Sequence, residues 1–336
     1  MTSARRRRSQ IPKLMKRILF GVSNIPLGAQ IRNIENIERI LTECASRMSD
    51  FSLKVLELPF NEVYMDPGRI LERLKVDAKE KSPQELLEII REYLENIYKE
   101  VIKKSRIHLW VYGPKYVDFV SSEAAEKFTM EALEMAAAFA SMIKADGLVT
   151  LLGYAGNNRK ESLKKSIKML REIRDLLLPS QYIGIEIPGK KELLGATLSE
   201  IKDALSSIDR SVPVINLAHY YALAGGILRR AEQFLEPIRY LYRESHAKDF
   251  IYIKISGIEV SDNGERLHMP LITNQPPLNV VIDAIYKFLV ENDGVKAYVI
   301  VESPLLEYDA EYFMTKLKEH FEGVSRRASR GSSSGR

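Results

Sequence analysis

Short apolar runs alternate with longer amphipathic stretches along nearly the whole chain. The apolar runs have no polar face, which is typical of parallel strands that are covered on both sides. Eight such strands are predicted, at residues 17–23, 53–59, 106–112, 147–152, 182–187, 212–217, 250–256 and 297–302. The stretches between and after them predict helices near residues 33–48, 84–104, 122–144, 159–178, 197–207, 228–245, 277–291 and 309–321.

Eight consecutive strand-then-helix units predict a single-domain (β/α)8 TIM barrel, because a closed parallel sheet covers both faces of every strand. We expect the barrel to span residues 15–323. The glycines of ALAGGIL lack the spacing of a dinucleotide or P-loop fingerprint, so no nucleotide cofactor is predicted. Two long connections, residues 60–83 and 257–276, leave the carboxyl ends of strands, where barrel enzymes build their sites.

The composition is that of a globular protein, with 45% hydrophobic and 28% charged residues among 336. No apolar run approaches the ~20 residues that span a bilayer, and the start of the chain has no stretch typical of a signal peptide. The single cysteine, Cys44, has no cysteine to pair with inside the chain. We therefore expect a cytoplasmic protein with no membrane partner.

The net charge of +5 comes from the two ends of the chain. Arginines occupy positions 5–8, and four more lie in a Ser/Gly-rich tail, SRRASRGSSSGR. Residues 1–14 and 324–336 are therefore expected to be disordered basic arms. Such arms would raise the affinity for a polyanion such as DNA, or they could serve only as solubilising tails. The oligomeric state is not predicted.

Polar side chains occur where the predicted strands end, and a charge in a buried strand is costly unless it is paired or bound to a metal. These residues, with two more from the long connection after strand seven, are His108, Glu186, Asn216, His219, Glu265, His268 and Glu302. Carboxylates and imidazoles that converge on one mouth are ligands for zinc or manganese. Glu186 and Glu302 are flanked by apolar residues and favour this interpretation most. A lone strand histidine such as His108 is more often a satisfied core histidine than a ligand, and a solvated loop is the default interpretation of NGERLH.

Three tyrosines near the predicted strand ends are candidates for substrate contact. Tyr112, Tyr220 and Tyr221 could stack on a base or a sugar at the mouth, or could simply pack there.

Four segments resemble the endonuclease IV group of apurinic/apyrimidinic endonucleases, which belongs to the xylose-isomerase-like barrels. IHLWVYGPKYVDFVS is similar to the family's first histidine block, and IEIPGKKELLGATLSEI to its glutamate strand end. INLAHYYALAGGI is similar to its Asp-x-x-His segment, and VIVESPLLEYDAEYF to its closing Leu-Glu-Thr-Pro segment. The resemblance spans most of the chain, from the first predicted strand to the eighth. It implies a DNA-repair hydrolase that holds three zinc ions and cleaves DNA 5′ to an abasic sugar.

The same resemblance assigns ligand positions and shows where this sequence departs from the family. The family's ligand positions fall on His108, Glu186, His219 and Glu302, and one falls near His268. Asn216 and Glu265 stand where the family has aspartates. The resemblance makes Glu186 the catalytic carboxylate that bridges two metals. Leu151 and Tyr252 stand where the family has histidines, and Ile255 replaces an aspartate. We therefore expect one or two zinc or manganese ions, or none, rather than three zinc ions.

Three functions remain open from the sequence. The first is a metal-dependent phosphodiesterase that acts on abasic or damaged DNA. The second is a non-catalytic relative that keeps the barrel and binds DNA. The third is a single-metal sugar isomerase or epimerase, in which Glu186 and Glu302 would exchange a proton with a sugar carbon.

Overall fold

A closed barrel of eight parallel strands forms the centre of the computed structural model, which describes residues 13–29, 37–63 and 67–330. In chain order the strands are β1 (Ile18–Ser23), β2 (Val55–Pro59), β3 (His108–Tyr112), β4 (Gly147–Thr150), β5 (Tyr182–Glu186), β6 (Ser211–Asn216), β7 (Phe250–Ile255), β8 (Gly257–Ser261), β9 (Gly264–Met269) and β10 (Lys296–Val301). The barrel order is β1-β10-β7-β6-β5-β4-β3-β2, and β8 and β9 form a separate antiparallel pair. The predicted (β/α)8 barrel is confirmed, and each predicted barrel strand overlaps an observed one.

Helices follow the strands and cover the outside of the barrel. They are α1 (Ile37–Asp50), α2 (Phe60–Val63), α3 (Pro67–Arg73), α4 (Pro83–Ile97), α5 (Glu123–Met142), α6 (Arg159–Leu176), α7 (Leu198–Ser207), α8 (Leu217–Leu223), α9 (Ala231–Glu244), α10 (Leu278–Glu291) and α11 (Leu306–Arg330). Local chemistry sets several of their starts. Ser82 caps α4, Pro83 follows at the first helical position, and Glu85 completes the capping box.

Aromatic side chains fill the inside of the barrel below its mouth. Trp110 of β3 contacts Tyr252 and Phe250 of β7 edge to face, with ring centroids 5.0 and 6.1 Å apart, and Phe250 stacks on Tyr298 of β10 at 4.7 Å. Alternate residues of a strand point to the same face. Lys254, two residues after Tyr252, therefore points into the barrel one layer nearer the mouth.

Two regions differ from the predicted pattern. The connection 257–276 contains the β8–β9 hairpin, so Glu265 and His268 lie on a strand and not in an irregular loop. Helix α11 continues to Arg330, past the predicted start of the C-terminal tail at residue 324. Residues 1–12 and 331–336, which carry most of the predicted basic arms, lie outside the described residues. Within the described part of the chain, no helix is long and apolar enough to cross a membrane.

Candidate metal centre at the mouth of the barrel

A cavity of about 530 Å³ opens at the carboxyl ends of the barrel strands. Its wall includes Lys115, Lys190, His219, Glu265, His268 and Glu302. Connections from several strands contribute to it, which is how residues far apart in the chain come to face one space. Its size falls in the range of ~300–1,000 Å³ that is typical of pockets for small ligands.

Two histidines and a glutamate converge on one point of this wall, and we call them the histidine cluster. Glu265 Oε2 lies 3.2 Å from His219 Nε2, and Glu265 Oε1 lies 3.0 Å from His268 Nε2. The two Nε2 atoms are 3.3 Å apart. Two imidazoles bound to one tetrahedral zinc ion at 2.0–2.1 Å would hold their nitrogens about 3.3 Å apart. The donor set and its spacing therefore fit a single divalent ion.

A hydrogen bond on the side of the ring away from the cavity fixes the orientation of His219. Its Nδ1 lies 2.8 Å from the carbonyl oxygen of Ile187. Because a carbonyl can only accept, Nδ1 carries the proton and donates it, and Nε2 faces the cavity. The side chain of Asn216 caps α8 by accepting a hydrogen bond of 3.1 Å from the backbone N–H of His219. A metal-binding histidine is typically held in this way, by a hydrogen bond on its other nitrogen.

The pKa shifts in the histidine cluster show that its surroundings favour a positive charge at this point. Burial alone would lower the pKa of His219, but the hydrogen bond to Glu265 and the nearby carboxylates raise it to about 9. Burial alone would raise the pKa of Glu265, but hydrogen bonds from both histidines hold it well below its usual value. A divalent ion would therefore displace a proton from His219 when it binds at neutral pH. The Nδ1 atom of His268 is buried without a hydrogen-bond partner among the described residues.

The β8–β9 hairpin is docked against the connection that follows β5. The backbone N–H of Glu265 donates to the carbonyl oxygen of Gly189 at 2.7 Å. A Cβ atom at position 189 would collide with the Glu265 carboxylate, so only glycine allows this close approach. Gly189 thereby brings Glu265 within reach of His219.

A second group of charges lies deeper in the mouth, and we call it the lysine cluster. Lys254 of β7 has its Nζ 3.0 Å from Glu57 Oε1, 3.3 Å from Glu186 Oε2 and 3.0 Å from Glu302 Oε1. The side chains of Lys254, Glu57 and Glu186 are fully buried, whereas 23% of the Glu302 side chain is exposed. Glu302 is therefore the carboxylate of this cluster that faces the cavity.

Neutral side chains complete the lysine cluster. The Nδ2 group of Asn216 donates to Glu186 Oε1 at 2.8 Å and to Glu302 Oε2 at 2.9 Å. Tyr252 donates its hydroxyl proton to Glu57 Oε2 at 2.6 Å, and Ser23 donates to Glu57 Oε1. Every carboxylate oxygen of the three glutamates thus accepts a hydrogen bond from a side chain, which is the condition for a stable buried polar network.

The environment shifts the pKa values of Glu186 and Glu302 in opposite directions. Burial raises the pKa of Glu186, and the attraction of Lys254 offsets this only in part. Burial also raises the pKa of Glu302, but Lys254, His268 and His219 outweigh it, so the net pKa lies below the usual value. Glu302 is therefore ionised at neutral pH and presents a negative charge at the cavity wall.

The structure brings together six of the seven residues that the sequence singles out as metal ligands. Glu186, Asn216 and Glu302 belong to the lysine cluster, and His219, Glu265 and His268 form the histidine cluster. The seventh, His108, is a correction, because it is the first residue of β3 and lies at the amino end of the barrel. There its Nδ1 is 2.9 Å from Asp146 and 3.3 Å from the hydroxyl of Tyr298.

The three tyrosines predicted to contact substrate have different surroundings. Tyr112 ends β3 and lies on the cavity wall. Tyr221 is buried, stacks on Phe234 with ring centroids 6.3 Å apart, and accepts a hydrogen bond from Arg229. Tyr220 is half-buried against the core and is not part of the cavity wall. Of these three, only Tyr112 is placed to contact a ligand in the cavity.

Lys254 and Glu57 are functional candidates that the sequence interpretation missed. Both are charged residues inside apolar runs, FIYIKIS and LKVLELP. The same criterion that selects Glu186 and Glu302 would have found them. Leu151, which stands at a ligand position of the resembling family, contributes an apolar patch to the cavity wall.

One curated protein and several solved structures are similar to this chain. No family model matches the chain. An uncharacterised protein of Methanocaldococcus jannaschii is 26% identical over 257 residues, which cover 73% of this chain and 88% of that protein.

Solved structures share the fold at low sequence identity. A D-tagatose 3-epimerase-like protein matches with a TM-score of 0.59 and 18% identity, over 92% of this chain and 99% of that one. An L-ribulose 3-epimerase matches with a TM-score of 0.57 and 12% identity, over 93% of this chain and 98% of that one. Endonuclease IV from Thermus thermophilus matches with a TM-score of 0.57 and 11% identity, over 91% of this chain and 99% of that one. The chain therefore shares the (β/α)8 TIM-barrel fold of these proteins.

Proposed function

We propose that this protein is a metal-dependent phosphodiesterase that acts on DNA at an abasic or damaged nucleotide, and that it works with one divalent ion held by the histidine cluster. The observation that carries the proposal is the convergence of His219, Glu265 and His268 on one point of a cavity wall. Two nitrogens and a carboxylate favour zinc, and manganese is the alternative. Bound there, such an ion would act as a Lewis acid on a phosphoryl oxygen and lower the pKa of a water molecule.

The residues around the cavity suit a phosphodiester. Lys115 and Lys190 lie on the same wall as the histidine cluster and would attract and orient a phosphate. Glu302 is ionised and reaches the cavity, so it would accept a hydrogen bond from the attacking water and orient it. Glu186, the predicted catalytic carboxylate, is fully buried, and in this proposal it acts by positioning Lys254 and Asn216.

The size of the cavity sets how DNA would enter it. About 530 Å³ accommodates a single sugar with its phosphate but not a base-paired duplex. The target nucleotide would therefore leave the stack, which costs least where the base is missing or damaged. The endonuclease IV among the solved structures of this fold supports DNA as the partner.

An isomerase or epimerase is the second candidate, because two sugar epimerases or epimerase-like proteins share the fold. It would need Glu186 and Glu302 to give and take protons at a sugar carbon. In the structure both carboxylates are bound to Lys254 and Asn216, and Glu186 does not reach the cavity wall. The lysine cluster therefore favours phosphodiester chemistry over proton exchange. A purely DNA-binding relative without catalysis is the third candidate, and the intact histidine cluster argues against it.

A nicking assay on a duplex with one abasic site tests the proposal. Protein stripped of metal would be assayed with and without added Zn²⁺ or Mn²⁺. We expect metal-dependent cleavage, and we expect His268→Ala to lower kcat/KM at least about 100-fold, because it removes a metal ligand. His108→Ala is the matched control, since it removes a half-exposed histidine at the other end of the barrel and should leave cleavage unchanged.

The alternatives give different results in the same experiment. Binding of the abasic duplex without cleavage at any metal concentration would identify a non-catalytic relative. Metal-dependent conversion of a free ketose, with no effect on the duplex, would identify an isomerase or epimerase. Either result would refute the phosphodiesterase.

A further inference from the structure

The ammonium group of Lys254 has the surroundings of a bound cation. A lysine ammonium has three N–H donors, and each has one carboxylate partner here, from Glu57, Glu186 and Glu302. The three glutamates come from β2, β5 and the end of β10, so they surround the nitrogen from separate sides of the barrel. The ring of Tyr112 lies beside the ammonium, with its centroid 4.6 Å from Nζ.

The oxygen atoms around this nitrogen are those that a hard divalent ion takes as ligands. Three carboxylates at 3.0–3.3 Å surround one positive charge, and Asn216 ties two of them together. Manganese and magnesium prefer such oxygen donors. The same three carboxylates without a positive charge among them would be costly to keep buried and ionised.

We propose that Lys254 is the resident cation of this three-carboxylate centre. Its ammonium group occupies the place of a divalent ion and excludes one. When the ammonium is removed, the three carboxylates become a second metal site. The mouth then contains one built-in cation, which is part of the chain, and one exchangeable cation in the histidine cluster. Lys254 acts as a positioning residue, because it holds Glu302 toward the cavity without reaching the cavity wall itself.

The inference concerns metal binding and not the reaction, so its test is independent of the nicking assay. We would count Mn²⁺ ions per chain by equilibrium dialysis of full-length protein in the His268→Ala background, which disables the histidine cluster. Lys254→Ala in this background is expected to bind one more Mn²⁺ per chain than the His268→Ala parent. Lys254→Arg, which keeps a cation, and Lys202→Ala, which removes a surface lysine next to Glu244, should add none.

Stability provides a second readout that a merely structural lysine would not give. Added Mn²⁺ should raise the melting temperature of Lys254→Ala more than that of the parent, because the ion replaces the missing charge. If Lys254→Ala cannot be purified folded, the double variant Lys254→Ala with Glu57→Gln, which removes one of the three negative charges, takes its place. We expect it too to gain an ion.

Three results would overturn the inference. The first is a folded Lys254→Ala protein that binds no more Mn²⁺ than its parent. The second is an equal gain in Lys254→Arg, which would show that the ion binds elsewhere. The third is failure of both the single and the double variant to fold even with excess Mn²⁺, because a divalent ion would then be unable to replace the ammonium.

Discussion

The two charge clusters at the mouth of this barrel lie side by side and both contain glutamates, yet their carboxylates have different partners. In the lysine cluster an ammonium fills the centre, and each carboxylate oxygen accepts a hydrogen bond from a side chain. In the histidine cluster two Nε2 atoms face each other across 3.3 Å with one carboxylate between them. The first is complete without a ligand. The histidine cluster has ring nitrogens and a carboxylate that need a proton or a metal ion between them.

This difference shows how a barrel can keep a cluster of glutamates while changing its chemistry. Glu186 and Glu302 alone suggest a metal centre, because buried carboxylates need a positive charge. Lys254 supplies that charge from within the chain. The exchangeable ion that we propose would lie nearer the cavity, where His219 and Glu265 meet.

The largest effect is expected from removing the charge at the centre of the lysine cluster. Lys254→Ala should lower the free energy of unfolding by about 3–5 kcal/mol in metal-free buffer, because three carboxylates lose a buried partner. Urea unfolding followed by circular dichroism measures this. Lys287→Ala, which breaks exposed ion pairs with Glu232 and Asp283, is the control and should cost less than about 1 kcal/mol. Equal losses in the two variants would contradict the buried network.

The next effect concerns the histidine cluster. Glu265→Gln should weaken Zn²⁺ binding about 100-fold, which corresponds to about 2.7 kcal/mol, because the amide has no negative charge to offer the ion. Competition with a chromophoric chelator measures the affinity. Glu259→Gln, on the partner strand of the same hairpin and paired with Arg266 at the surface, controls for changes in the hairpin. An unchanged affinity in Glu265→Gln would place the metal elsewhere.

Another carboxylate near the mouth, that of Glu307, sharpens the comparison, because backbone N–H groups supply most of its hydrogen bonds. Glu307 accepts hydrogen bonds from the backbone N–H groups of Leu27 and Gly28 and from Arg47, at 2.8–3.0 Å. Burial alone would raise its pKa, but these hydrogen bonds lower it below the ordinary value of 4.5. A carboxylate with a lowered pKa stabilises the fold above its unfolded pKa, and this contribution is lost as the pH falls through the folded pKa.

Glu307→Gln should therefore cost about 1–3 kcal/mol at pH 7, because the amide cannot accept all of these hydrogen bonds without burying an unpaired donor. The difference from the unsubstituted protein should shrink as the pH drops below about 4.5. Urea midpoints between pH 3 and pH 7 measure both quantities. A difference that grows toward low pH would show that Glu307 is protonated in the folded protein.

The smallest effect is expected at the opposite end of the barrel. His108 and Asp146 form a half-exposed pair, so His108→Asn should change the free energy of unfolding by no more than about 1 kcal/mol. Metal binding should not change at all. A loss of Zn²⁺ affinity in this variant would restore His108 to the site where the sequence placed it.

The sequence alone determined the barrel, because eight apolar runs without a wet face leave a closed parallel sheet as the arrangement that covers every strand. It also singled out Glu186, His219 and Glu302, since charges and imidazoles at strand ends stand out from an apolar pattern. It failed at His108, which stands near the amino end of its predicted strand at residues 106–112, because only the carboxyl ends of parallel strands reach the mouth of a barrel.

Only the tertiary structure decided which charges satisfy one another. The partners Glu57, Glu186 and Lys254 are separated by 68 residues or more along the chain and meet because closure of the barrel brings their strand ends together. Nothing in the linear pattern indicated that Gly189 admits Glu265 beside His219. Electrostatic energies depend on distances of a few ångströms and on burial, and both are set by the packing of the whole barrel.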